Sequence, residues 1–177
     1  MRWNAILQRI DRIENPIGCE IGVWRGEMSI NLLSSKEDLF LIMVDPWDEN
    51  VYDKDTENMS ATMSFKNRNT GEWIKNFNHV VSILNKYENR YSINKLTSES
   101  ASKLYNEEYF DFVFIDGDHS ENGVMKDIEL WLPKVKSNGY ICGHDYKVFH
   151  GVTNAVNKSF KKEYIELDED FTWFVRK

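Results

Sequence analysis

The sequence predicts a single α/β domain, residues 1–177, built around a doubly wound and mostly parallel β-sheet. Short apolar runs typical of buried strands alternate with segments whose apolar residues recur at helical spacing. The first strand, helix and second strand follow one another within about 30 residues, the length of a βαβ unit with parallel strands. A chain of 177 residues, 41% of them hydrophobic, fits one domain with a substantial core.

The first half of the chain carries the βαβ unit and an irregular segment. An amphipathic helix is predicted over 2–14, before Pro16. The elements that follow are strand 17–23, helix 27–35 and strand 39–44. Residues 46–72 are polar, rich in Asn and Asp, and without a clear period. Because long unpatterned stretches are usually functional or disordered, we expect a lid or substrate loop there.

The second half continues the alternation and then changes pattern. Strands are predicted over 91–96, 110–115 and 140–142, and helices over 73–87, 101–105, 152–160 and after the capping residue Ser120. The last two runs, 163–167 and 172–175, flank an acidic turn in the manner of an antiparallel hairpin. The sheet should therefore carry a reversed strand at its C-terminal edge.

The turn after the first strand is a candidate ligand site. Its spacing is Glu20-x-Gly22-x-x-x-Gly26, in which a strand, a glycine turn and a helix start follow in order. Glycine lets the backbone approach a ligand closely, and the free N–H groups of a helix start attract anions. Glu20 would need a partner, because an unpaired buried carboxylate is unfavourable. The spacing does not match the dinucleotide fingerprint, so an ordinary strand-turn-helix is the alternative interpretation.

Four predicted strands end in an acid or in an acid beside a histidine: Glu20, Asp45, Asp116 and the pair His144-Asp145. In an open α/β sheet the ligand lies outside the carboxyl ends of the strands, where the strand order reverses. We therefore expect these groups to converge on one cleft. A single Asp at a strand end is also common as a helix cap, but capping does not easily explain four such residues.

Each of these side chains suits a particular role. Asp45, after the second strand, is placed to accept both hydroxyls of a ribose. Asp116 and His119 share one tight loop that Asp145 can reach, and carboxylates from neighbouring strand ends suit a hard divalent cation. His144 would shift the preference towards manganese, iron or zinc. The alternative for both histidines is a loop imidazole bonded to backbone.

Composition excludes several classes of function. The net charge of -7 and the lack of a Lys/Arg block argue against nucleic acid as the main partner. No apolar run is long enough to span a bilayer, and the N-terminus lacks a signal-peptide core. Cys19 and Cys142 fall in predicted buried strands and are interpreted as reduced core thiols, so a cytoplasmic protein is expected.

Four motifs together resemble the class I S-adenosylmethionine-dependent methyltransferases. They are Glu20-Ile21-Gly22-Val23-Trp24-Arg25-Gly26-Glu27-Met28-Ser29, Val44-Asp45, Phe112-Val113-Phe114-Ile115-Asp116-Gly117-Asp118-His119 and Gly139-Tyr140-Ile141-Cys142-Gly143-His144-Asp145-Tyr146. The sequence is most similar to the small bacterial and phage group related to macrocin O-methyltransferase and the cephalosporin hydroxylase-like proteins. The resemblance covers roughly residues 15–160 and implies a Rossmann-like sheet with a final reversed strand.

The resemblance implies S-adenosylmethionine as cofactor and assigns residues to it. Glu20, Gly22 and Gly26 would hold its methionine end, Ser29 would lie near its carboxylate, and Asp45 would take the ribose hydroxyls. Ser98 and Glu99 would border the adenine. The full cofactor set is Glu20, Gly22, Trp24, Gly26, Ser29, Asp45, Ser98, Glu99 and Asp116.

The resemblance also implies a divalent metal, magnesium or manganese, held by Asp116, His144 and Asp145. The family more often has Asp or Glu at the position of His144, which bears on the identity of the metal. In catechol-type relatives a lysine base lies three residues past the first metal acid, and His119 occupies that position here. Asp116 and His119 are therefore the expected catalytic residues.

The expected activity is methyl transfer to a hydroxyl of a small molecule or sugar, with a homo-oligomer left open. Trp47, Tyr52 and Trp73 could stack on the acceptor or form a packed minicore. The competing interpretations are a metal-independent methyltransferase and a cofactor-binding module without transfer activity. A nicotinamide oxidoreductase fits less well, because the later glycines of its loop are misplaced.

Overall fold

The computed structural model describes residues 1–48, 51, 70–168 and 170–177. The strands are β1 Ile17–Ile21, β2 Phe40–Val44, β3 Tyr91–Asn94, β4 Phe110–Ile115, β5 Val135–Gly143, β6 Glu166–Leu167 and β7 Trp173–Arg176. The helices are α1 Arg2–Ile10, α2 Glu27–Ser35, α3 Thr70–Leu84, α4 Ser98–Ser102, α5 Glu121–Trp131 and α6 His150–Ser159.

All seven strands form one sheet in the order β3-β2-β1-β4-β5-β7-β6. Strands β1 to β5 pair in parallel, whereas β7 runs antiparallel to both β5 and β6. The doubly wound α/β fold with a C-terminal hairpin at the sheet edge is therefore confirmed. The reversed strand β7 lies between β5 and the short outermost strand β6.

Helices cover both faces of the sheet, as the apolar runs of the strands require. One face packs against α4, α5 and α6 through a cluster that includes Ile21, Val113 and Trp131. The other face packs against α1, α2 and α3 through a cluster that includes Leu41, Phe112 and Leu32. Strand order reverses between β1 and β4, so this fold places a ligand outside the carboxyl ends of these strands.

Some predicted boundaries were wrong by a few residues. Helix α1 ends at Ile10 rather than 14, and the chain then turns at Asn15, whose N–H donates to Asp38. Helix α4 starts at Ser98 rather than 101, because the Thr97 hydroxyl accepts a hydrogen bond from the Ser100 N–H and caps it. Strand β5 begins five residues early, at Val135, across an irregularity in its pairing with β4.

Most of the predicted lid lies outside the described residues, namely 49–50 and 52–69 of the range 46–72. The aromatic residues at its start and just after its end are packed. Trp47 and Trp73 are both 2% exposed, and Trp47 contacts the ring of Phe77 at a centroid distance of 5.2 Å. These two aromatic residues belong to the core on the α3 side, whereas Tyr52 lies outside the described residues.

Candidate active site

A cavity of about 390 Å³ opens at the carboxyl ends of β1, β2, β4 and β5. Its lining comes from α1, the β1–α2 turn, the start of α2, α3 and the ends of the strands. The lining residues are Arg2, Glu20, Gly22, Val23, Trp24, Arg25, Glu27, Asp45, Trp73, Asp116, Gly117, His119, His144 and Asp145. The volume is that of a small-molecule site. All the strand-end acids and both histidines predicted from the sequence therefore line one cavity.

Gly22 brings the turns after β1 and β4 together. Its φ angle is +87°, and a Cβ atom there would lie 2.3 Å from the carbonyl oxygen of Asp116. The residue before it, Ile21, accepts a 2.8 Å hydrogen bond from the N–H of Asp116. Only glycine fits this position, because any side chain would push the two turns apart.

Glu20 is a buried carboxyl group at the floor of the cavity. It is 2% exposed, and the hydroxyl of Ser29 donates a hydrogen bond to its Oε2. Burial raises the pKa of Glu20 to about 8, although the Ser29 hydrogen bond and the charge of Arg2 oppose that rise. Glu20 thus holds a proton readily at neutral pH, and a cationic or hydroxyl-bearing ligand would favour its charged form.

Asp45 is held by three backbone N–H groups. Its Oδ2 accepts from Val23 at 3.1 Å and from Trp24 at 2.9 Å, and its Oδ1 accepts from Trp47 at 2.7 Å. These bonds fix the β1–α2 turn against the end of β2 and constrain Trp24, whose φ is +55°. Burial raises the pKa of Asp45 despite them. Each oxygen retains acceptor capacity towards a ligand hydroxyl.

Asp116, His144 and Asp145 form the cluster that the sequence assigned to a metal. One ligand atom from each lies within 4.8 Å of the other two. Nδ1 of His144 lies 3.0 Å from Oδ1 of Asp145. The neighbouring imidazoles hold the pKa of Asp145 well below its usual range against the opposing effect of burial. Asp145 has a φ of +63°, so the turn after β5 is strained where it presents the carboxylate.

His119 lies between the two carboxylates and stacks on Phe149 at a ring distance of 4.6 Å. Its Nε2 lies 2.9 Å from Oδ2 of Asp145 and 3.6 Å from Oδ1 of Asp116, as ion-pair contacts without hydrogen-bond alignment. Burial disfavours the charged imidazole, but the two carboxylates outweigh it and raise the pKa of His119 to about 9. Near pH 7 this structure therefore holds an imidazolium.

Arg2 is a site residue that the sequence did not reveal. Its Nη1 lies 2.9 Å from Oδ2 of Asp116, and its charge lowers the pKa of Glu20. A single arginine at the start of an amphipathic helix carries no motif. Only the packing of α1 beside α2, through buried Ala5 and Ile6, carries Arg2 to the end of β4.

Four of the proposed cofactor residues do not line the cavity. Ser29 supports Glu20, and Gly26, with a φ of +75°, begins α2 and packs near Val80. The Ser98 hydroxyl donates to buried Asp127 and accepts from the indole of Trp131 at 2.8 Å. Glu99 is exposed and pairs with Lys126 at 2.6 Å and Lys103 at 3.5 Å. Their roles towards a cofactor stay predictions.

A family model described as a methyltransferase domain matches residues 19–146, which is most of the chain. The chain belongs to this methyltransferase family. The match begins within β1 and ends just after Asp145, so it spans all the strand-end acids of the cavity. No curated protein matches the chain by sequence.

Solved structures of methyltransferases share the fold. The O-methyltransferase NovP has a TM-score of 0.69 at 18% identity, over 99% of this chain and 79% of NovP. A Staphylococcus aureus protein named as a candidate caffeoyl-CoA O-methyltransferase has a TM-score of 0.67 at 16% identity, over 99% and 81%. The Podospora anserina methyltransferase PaMTH1, solved with S-adenosylhomocysteine, has a TM-score of 0.65 at 14% identity, over 99% and 76%. Among the described residues, no helix is long and apolar enough to cross a membrane.

Proposed function

We propose that this methyltransferase transfers the methyl group of S-adenosylmethionine to a hydroxyl of a small molecule or sugar, assisted by a divalent cation. One observation carries the proposal. The cluster of Asp116, His144 and Asp145 lies in the same cavity as the buried carboxyl groups of Glu20 and Asp45. A cation-binding half and a cofactor-binding half therefore adjoin. The names of NovP and of the Staphylococcus aureus protein support an O-methyltransferase and a small acceptor.

The residues of the β1 turn fit S-adenosylmethionine. A buried carboxyl group with a raised pKa becomes favourable when a cationic group binds beside it, and the cofactor carries an ammonium and a sulfonium. The N-terminus of α2 offers free N–H groups to its carboxylate. PaMTH1, of the same fold, was solved with the product form of this cofactor. The bound cofactor supplies an electrophilic methyl group, and the protein's part is to align the acceptor with it.

The strand-end cluster fits a divalent cation in its donor set. Two carboxylates and one imidazole suit manganese better than magnesium, which prefers oxygen ligands alone. A cation bound there lowers the pKa of a coordinated hydroxyl. His119 is placed beside the same carboxylates to accept the proton, and it must first be neutral to do so. The histidine therefore acts as the base only where the charge of Asp116 and Asp145 is compensated.

A metal-independent methyltransferase is the second candidate, and the ion pairs favour it. Asp116 already contacts Arg2, and Asp145 already contacts His119 and His144. In that case the three cationic side chains would be the permanent partners of the two carboxylates. Because His119 stays an imidazolium in that arrangement, it could accept the proton of the acceptor hydroxyl only where the pH is high enough to neutralise it, near its raised pKa of about 9.

Binding of S-adenosylhomocysteine, measured by titration calorimetry with and without manganese, tests the proposal. We expect micromolar binding and no binding of NAD. Glu20→Gln should weaken the binding of S-adenosylhomocysteine about tenfold or more, because a neutral amide replaces the carboxylate that pairs with a cationic group of the ligand. Asp145→Asn should leave that affinity within about threefold and abolish the effect of manganese on methyl transfer to a panel of hydroxyl acceptors.

The outcomes separate the candidates. Full activity of the wild type in a chelator would establish the metal-independent reaction. Cofactor binding without transfer to any acceptor would indicate a binding module. No binding of S-adenosylhomocysteine under any condition would refute the cofactor assignment.

A further inference from the structure

Arg2 is a cation supplied by the fold at the position of the proposed metal. Helix α1 is anchored by Ala5, Ile6 and Ile10, which are at most 4% exposed. This anchoring fixes the start of α1 over the end of β4, and the side chain of Arg2 is 25% exposed there. The residue is thus presented by an ordered helix rather than by a free terminus.

The guanidinium occupies one carboxylate oxygen of Asp116, a member of the cation cluster. Nη1 of Arg2 lies 2.9 Å from Oδ2 of Asp116, and Asp116 is the one member of that cluster contributed by β4. A guanidinium and a divalent cation beside the same carboxylate repel each other, and direct contact of both with one oxygen is unfavourable. Occupation by one therefore disfavours the other.

A second acid is an alternative ion-pair partner for Arg2. Glu27, at the first turn of α2, lies with its Oε2 4.0 Å from Nη2 of Arg2, and its side chain is 68% exposed. A small rotation of the guanidinium would exchange the Asp116 contact for a direct pair with Glu27. Such a movement keeps the arginine paired while it frees the β4 carboxylate.

We propose that Arg2 competes with a divalent cation for Asp116, so that this arginine sets how strongly the site binds metal. This inference rests on the proposed function, because it concerns the same cation site. With Arg2 on Asp116, the carboxylate is neutralised internally; with Arg2 on Glu27, the carboxylate is open to a cation. Arg2, a residue of α1, thus helps to set the metal affinity of this methyltransferase.

Manganese binding to Arg2→Gln, measured by calorimetry and by the loss of the free-ion electron paramagnetic resonance signal, tests the competition. Glutamine removes the charge and keeps much of the aliphatic stem. We expect Arg2→Gln to bind manganese at least about fivefold more tightly than the wild type. The substitution removes the partly exposed ion pair with Asp116 and the repulsion between the guanidinium and the metal cation. Glu27→Gln removes the alternative partner and should weaken binding in the wild-type background by about twofold or more.

Arg12→Gln is the matched control, because it makes the same charge change at an exposed position just beyond α1. It should change manganese affinity less than Arg2→Gln does, which separates competition at Asp116 from the overall charge. Circular dichroism of each variant reports whether the fold is kept. The double variant Arg2→Gln, Asp116→Asn should lose the gain in affinity.

Equal manganese affinity in the wild type and in Arg2→Gln would overturn the inference. Weaker binding in Arg2→Gln would also overturn it and would make Arg2 a support of the site. Absence of manganese binding in both, with S-adenosylhomocysteine still bound, would refute the inference together with the metal but leave the cofactor assignment. Absence of both ligands would instead refute the proposed function.

Discussion

The two halves of the cavity shift the pKa of the same kind of side chain in opposite directions. On the side proposed for the cofactor, the carboxyl groups of Glu20 and Asp45 accept hydrogen bonds from a hydroxyl and from backbone N–H groups, and burial raises the pKa of both. On the side proposed for the cation, the carboxylate of Asp145 lies beside two imidazoles, which hold its pKa low. Since all of these groups lie at one sheet edge, the balance between burial and neighbouring charge, rather than the position along that edge, sets the direction of each pKa shift.

The two halves therefore respond to pH with opposite sign. A raised folded-state pKa gives stability that is present at low pH and lost as pH rises through that pKa, which applies to Glu20. A lowered folded-state pKa gives stability that is lost as pH falls below the ordinary value of 3.8, which applies to Asp145. The pH dependence of stability can therefore distinguish the two halves.

Gly22→Ala should produce the largest effect, because it acts where the two halves meet. A methyl group there would lie 2.3 Å from a backbone oxygen, and the φ of +87° is strained for alanine. We expect a loss of about 4 kcal/mol or more in the free energy of unfolding, measured in urea. Gly117→Ala is the control, since its Cβ would meet atoms at 3.9 Å and should cost about 1 kcal/mol or less. Similar losses in both would contradict the steric argument.

Glu20→Gln should flatten the pH dependence of stability. The Glu20 carboxyl group binds its proton up to about pH 8 in the folded protein but only to about 4.5 when unfolded. The wild type should therefore lose up to roughly 4 kcal/mol between pH 4.5 and 8, and the variant should keep that stability. Urea unfolding at pH 5 and 8 measures the difference, with the exposed Glu129→Gln as control. A slope that survives in Glu20→Gln would assign the effect to another group.

Asp127→Asn should also reduce the loss of stability with rising pH, but by less than Glu20→Gln does. Asp127 lies outside the cavity. Burial raises the pKa of Asp127 to about 6, against the hydrogen bond from Ser98. Stability contributed by its protonated form is lost between pH 3.8 and about 6, and the variant should recover about 2 to 3 kcal/mol at pH 7. Asparagine can still accept from Ser98. A destabilised variant at pH 7 would show instead that the charge of Asp127 is stabilising, and that burial alone does not set its pKa.

The strand-end acids show how much of the site the sequence could predict. The acids and the histidine at the four strand ends, Glu20, Asp45, Asp116 and His144-Asp145, are far apart in the sequence, yet parallel topology sends all these strand ends to one edge. The fold class followed from the same strand pattern. The exact starts of α4 and β5 could not be predicted from that pattern, because a capping hydroxyl sets the first and an irregular strand pairing sets the second.

The sequence by itself determined the family, the alternation of strands and helices, and the collection of acids at one sheet edge, because these depend on local pattern and on chain direction. Only the tertiary structure decided which acids have a raised pKa and which a lowered one, since that depends on burial and on charges brought from elsewhere. Arg2 reaches Asp116 across 114 residues of sequence, and His119 lies against Asp145 from a different turn. Ser98, which is predicted to border a cofactor, donates a hydrogen bond to Asp127 on α5, because helix packing brings these two side chains together.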